Sequence, residues 1–104
     1  MQTDILEPDD CRTMADVRDG VDRTDRELMA LLARRYAYMR AAARIKPSRD
    51  AVRDEGRKAE VIENARSDAE ARNLPAGELA EIWDRLVESS IAYEMAEWDR
   101  TRKG

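Results

Sequence analysis

Four basic residues, Arg18, Arg35, Lys46 and Arg57, and three residues that accept or share a proton, Asp54, Ser90 and Glu94, could do chemistry in this chain. Arg35 poses the central question. In the stretch ALLARRYAYM, residues 30–39, it takes the heptad position held elsewhere by Met14, Val21, Leu28 and Ala42, where an apolar side chain belongs. A buried guanidinium is costly unless a carboxylate satisfies it. Two kinds of partner would serve: an internal one such as Glu94 or Asp54, or a carboxylate brought by a ligand. Arg34, on the outer face, reads as an ordinary solvated charge.

The same exception recurs further along. A step of about 100° per residue puts Ser90 and Glu94 inside the apolar stripe set by Leu79, Trp83, Leu86 and Val87. Arg57 stacks one turn before the apolar Val61, and Lys46 falls about 20° around the helix from Arg35, three turns on. Polar interruptions on three packed helices point to one convergent pocket. Its inventory would be Arg35, Lys46, Arg57, Ser90 and Glu94, joined by Asp54, a cation-rich cage suited to a small dianion. Arg18 lies about 100° from Arg35 on the helix wheel, so it would enter such a pocket only from a partner chain. There is no nucleophile with an adjacent base and no glycine-rich phosphate loop. The cage could bind an anion, or catalyse a reaction that needs only restraint and electrostatics.

Three helices must position these groups. Residues 1–12 read as a flexible lead-in, closed by a helix start in which Thr13 caps and Asp16 sits near the positive end of the dipole. The heptad then runs through Met14, Val17, Val21, Thr24, Leu28, Leu31, Arg35, Tyr38, Ala42 and Ile45, predicting a helix over 14–46 that ends at Pro47. Such a helix is about 50 Å long, whereas a compact domain of this size has a radius of gyration of about 13 Å. The remaining half-chain cannot cover it, so the stripe predicts an obligate, intertwined homodimer. A second helix is expected over 54–72, with Val61, Ile62, Ala65 and Ala69 inward, broken by RNLPAGE. A third is expected over 76–100, with Leu79, Ile82, Trp83, Leu86, Val87 and Tyr93 as its stripe. The fold class is therefore all-α, with the 104 residues forming one domain.

Composition narrows the partners. Nineteen basic and 23 acidic residues give a formal charge of −4, which argues against a nucleic-acid surface as the main function. A single cysteine, Cys11, rules out an intrachain disulfide and a cysteine-based metal site, and the absence of histidine removes the common zinc and Ser-His-Asp arrangements. The acidic start MQTDILEPDD has no apolar run of the kind a signal peptide or membrane anchor needs. The expectation is a cytoplasmic protein with no membrane partner and Cys11 as a spectator.

The residues MADVRDGVDRTDRELMALLARR, RIK, AVRDEGRK and ESSIAYEMAEW, with the spacing Arg18, Arg35, Lys46, Arg57, resemble the all-helical (AroQ) class of chorismate mutases, including its isochorismate-pyruvate lyase branch. The resemblance spans nearly the whole chain. It implies three helices per chain in an interlocked dimer with two sites, and no metal or organic cofactor. Arg35 and Arg57 would bind the carboxylates of chorismate, with Arg18 supplied by the partner chain. Lys46 would face the ether oxygen and a carboxylate, Asp54 the ring hydroxyl, and Ser90 the pocket wall. Glu94 would sit beside the ether oxygen, where many members have glutamine. On this reading the counter-ion of Arg35 is substrate.

Two departures have consequences. Glu94 must carry a proton to donate to the developing oxyanion, so activity is expected to decline as pH rises. Lys58 stands where some mutases carry a glutamate that helps hold the hydroxyl, which rests more of that task on Asp54. The competing reaction is pyruvate elimination from isochorismate: DDCRTMADVR and Trp98 look like the lyase branch, VRDEGR with Asp54 like a mutase. From a different class, a catalytically silent helical dimer or a regulatory partner of another enzyme would share the fold, but the chain keeps nearly every cage position.

Overall fold

The computed structural model describes residues 5–103, and its described residues form three α-helices and two short 3-10 turns. Helix α1 runs Met14–Ile45, α2 runs Glu55–Ala71 and α3 runs Ala76–Arg102. The 3-10 turns lie at Pro8–Asp10, inside the expected lead-in, and at Arg49–Ala51, between α1 and α2. The first four residues of that lead-in lie outside the described residues. The chain divides into two compact units between Arg35 and Tyr36.

In the first unit, α1 begins with a reciprocal cap. The Asp16 amide donates to Thr13 Oγ1 at 3.1 Å, while the Asp16 carboxylate accepts from the amides of Arg12 at 3.0 Å and Thr13 at 3.2 Å. These satisfy donors that a helix start otherwise leaves open. The two backbone donors hold the Asp16 carboxyl below its usual range. Leu6, Pro8 and Cys11 face Val17, Val21 and Thr24 across an open groove. The heptad side chains stay uncovered: Met14, Val21, Leu28 and Leu31 are each more than half exposed.

In the second unit, α2 and α3 pack against each other. The end of α1 meets α3 through polar and aromatic contacts: Tyr36 Oη lies 2.6 Å from Ser89 Oγ, Arg40 donates to Tyr93 Oη at 2.8 Å, and the rings of Tyr36 and Tyr93 meet edge to face. The buried apolar residues are small, Ala43, Val52, Ala69, Ala80 and Val87, and Ile82, expected in the α3 stripe, is 57% exposed. Helix ends follow local chemistry. Lys46 lies one residue beyond α1, because a residue before proline disfavours helical geometry. Asp54 caps α2 through its carboxylate, which accepts from the Arg57 amide at 3.0 Å. After α2, Asn73 adopts a left-handed φ of 60°, and the amides of Asn73 and Leu74 return to the carbonyls of Glu70 and Ala69. This double closure is the usual helix-ending motif, with Asn in place of Gly.

Candidate active site

The centre of the candidate site is a pair made by the residue after α1 and by α3. Lys46, just past α1, brings its Nζ to 2.6 Å from Glu94 Oε2. Glu94 is 4% exposed and Ser90, one turn earlier on α3, 3%. Both lie on the face of α3 that also buries Ala80 and Val87, so the heptad register that packs the helix also points its carboxylate inward. Among the described residues no hydrogen-bond donor is aligned with Glu94 Oε2, so Lys46 meets it by charge and proximity rather than by a directional bond. Lys46 Nζ also makes a long 3.5 Å contact with the Val52 carbonyl. The Ser90 hydroxyl donates to the Leu86 carbonyl at 2.8 Å.

The remaining expected residues are placed less tightly. Asp54 is exposed at the start of α2 with its carboxylate engaged as a cap. Arg57 lies one turn into α2, and its guanidinium pairs with Glu60 on the same helix rather than with Lys46 or Glu94. Arg35 is half-buried and Arg18 exposed, both on the part of α1 that belongs to the first unit. The second unit thus brings Lys46, Ser90 and Glu94 together, with Asp54 and Arg57 at the start of α2.

Sequence reading missed a second charged cluster. Arg53 grips Glu88 with both guanidinium nitrogens, at 3.1 and 2.7 Å, and also reaches Glu55 at 2.9 Å. Lys58 turns to the same α3 face, 2.6 Å from Glu88 and 3.1 Å from Asp84. Arg53 and Lys58 together hold the Glu88 carboxyl down at about 2, and Glu88 and Asp84 raise the Lys58 amine above its usual range. Arg53 and Lys58 flank Asp54 and Arg57 in sequence, so this network fixes the start of α2 against α3. Arg102 was missed as well, and Trp98, noted only as a feature like the lyase branch, was not read as a contact of Lys46. Both donate to the Lys46 carbonyl, and the signal that could have linked them to the site was their four-residue spacing from Glu94.

A buried acid beside a lysine, with a hydroxyl one turn away, can hold an anionic ligand and place a proton donor and a cation at one oxygen of it. Residues 17–95 match the chorismate mutase type II family. The chain belongs to that family. Among curated proteins it is similar to the isochorismate pyruvate lyase of Pseudomonas aeruginosa, 32% identical over 95 residues, which cover 91% of this chain and 94% of that protein. The match contains Arg18, Arg35, Lys46, Asp54, Arg57, Ser90 and Glu94. The family assignment makes the chain an enzyme of chorismate chemistry with an all-α, three-helix domain. Among the described residues no helix is long and apolar enough to cross a membrane.

Proposed function

We propose that this enzyme is a chorismate mutase, converting chorismate to prephenate as a cytoplasmic homodimer without a metal or organic cofactor. The observation that carries this reading is the buried contact of Lys46 with Glu94. In the rearrangement the ether C–O bond breaks as a new C–C bond forms, within one cyclic movement of electrons. Negative charge gathers on the ether oxygen in the transition state. The reaction needs no nucleophile; it needs the compact conformer held and that charge met by fixed donors. Lys46 and a protonated Glu94 are the two donors.

Arg35, Arg57 and the partner chain's copy of Arg18 take the two carboxylates, Asp54 takes the hydroxyl, and Ser90 lines the pocket. Substrate draws the Arg57 guanidinium from Glu60, an exchange between exposed partners that costs little. It also draws Lys46 from Glu94 toward the ether oxygen. The uncovered heptad residues of α1 support the dimer, since a stripe containing Val21, Leu28 and Leu31 at more than half exposure is the kind of apolar surface that partners cover.

The second reading is isochorismate pyruvate lyase, favoured by the 32% identity to the Pseudomonas aeruginosa protein of that name. Purified protein assayed in parallel with chorismate and isochorismate decides between them. Saturable prephenate formation that Arg35→Ala abolishes upholds the mutase. Dominant salicylate and pyruvate transfers the assignment to the lyase. Turnover of neither, with no thermal stabilisation by a bicyclic dicarboxylate transition-state mimic, defeats both.

A further inference from the structure

Lys46 is gripped at both ends by one stripe of α3. At the side-chain end its ammonium meets Glu94. At the backbone end its carbonyl oxygen accepts two bonds, from Trp98 Nε1 at 3.1 Å and from an Arg102 guanidinium nitrogen at 2.7 Å. Glu94, Trp98 and Arg102 follow one another at four-residue spacing, which stacks them along one face of a helix. The two donors brace each other, because the Arg102 guanidinium lies over the Trp98 ring, 4.6 Å from its centroid. Next to them, Asp99 accepts from Arg49 Nε at 2.9 Å and ties the 3-10 turn after Lys46 to the same part of α3.

This is more than an exposed helix end requires. A terminal carbonyl is ordinarily satisfied by water, and Pro47 already ends α1. Here the carbonyl engages the sole N–H of an indole and a cation placed at the negative end of α1. The Lys46 amide still bonds back to the Ala42 carbonyl of α1 at 2.9 Å, but no helical turn follows to hold its carbonyl side, and that side is held from α3. We infer that Trp98 and Arg102 are positioning residues that fix Lys46 for the reaction, through the two bonds they donate to its carbonyl. The inference rests on the function proposed above.

The test uses the full-length protein with Trp98→Phe, which keeps a ring and loses the donor, Arg102→Met, which loses the cation, and both combined. Misplacing a group that acts in the transition state lowers kcat more than it raises KM. The double variant is expected to lose about tenfold or more in kcat, with KM little changed. Combining Trp98→Phe with Arg102→Lys, which restores a cationic donor, should recover part of that loss. Hydrogen exchange is followed at the amides of Ala51 and Val52, which bond to Ser48 and Arg49 in the turn after Lys46, and should quicken in the double variant. Unchanged kcat in the double variant overturns the inference. So does a fall in kcat matched by an equal fall in the fraction of folded protein, measured by circular dichroism. A wild-type protein that turns over neither substrate defeats the proposed function, and the grip on Lys46 is then judged by exchange alone: faster exchange upholds it and unchanged exchange overturns it.

Discussion

Lys46 and Glu94 lie 2.6 Å apart with Glu94 almost wholly enclosed, so removing Lys46 leaves the carboxylate without its counter-charge in a place water barely reaches. Lys46→Ala should therefore destabilise the fold by about 1–3 kcal/mol. Adding Glu94→Gln should return much of that loss, because the amide carries no charge to strand; urea unfolding of the two single variants and the double variant measures the coupling. The same glutamate is tested as a hydrogen-bond donor: Glu94→Gln, whose amide donates, should keep kcat, whereas Glu94→Ala should lose roughly tenfold or more; equal losses in both would remove Glu94 from the donor role. Both residues were legible in sequence as members of one polar cluster, but their pairing was not, because the internal partner weighed for Glu94 was Arg35. Nor was the position of the Arg57 guanidinium, because Glu60, three residues on in its own helix, offers a nearer carboxylate, and helical spacing alone does not rank competing partners.

Between the helices, the start and end of α1 and the end of α2 were readable from local signals that act within a few residues, Thr13 with Asp16, Pro47 and RNLPAGE, whereas Asp54, expected inside the second helix, caps it from outside. The 3-10 turn at Arg49–Ala51 and the anchoring of the loop around it were not readable, because they depend on Glu88 and Asp99 more than thirty residues away. Glu88 makes that anchoring pH-dependent in a defined window. Its carboxyl lies at about 2 against an ordinary value of 4.5, lowered by Arg53 and Lys58. A group depressed in the folded state contributes stability that is fully present above its unfolded value and is lost as pH falls through the folded one. The stability gap between wild type and Glu88→Gln should accordingly be constant above about pH 5 and close progressively as pH falls toward 2. Thermal unfolding of both proteins across that range tests this, and a gap that stays constant through it would show that Glu88 stabilises by packing alone. Because the side chains are partly exposed, the gap should also narrow as salt is added.

At the scale of the whole molecule, the exposed heptad of α1 and the placement of Arg18 make one joint prediction. If each site takes Arg35 from one chain and Arg18 from its partner, then Arg18→Ala and Arg35→Ala each inactivate both sites of their own homodimers, yet the two defects fall on different chains. Unfolding the variants together and refolding them at equal concentrations should place about half of the chains in hybrid dimers. Each hybrid carries one site with both arginines intact and one site with neither. The mixture should thus recover about a quarter of wild-type activity from two inactive parents, with KM unchanged because the restored sites are complete. Arg18 acting within its own chain gives a different result, since every site in the mixture then lacks one arginine and no activity returns. The same mixture made in a Leu28→Glu background should also stay inactive, because a charge in the α1 stripe opposes the pairing that brings the two arginines together. Sedimentation of that variant as a monomer would tie the loss to the interface, whereas a fully active monomer would remove the dimer from the mechanism.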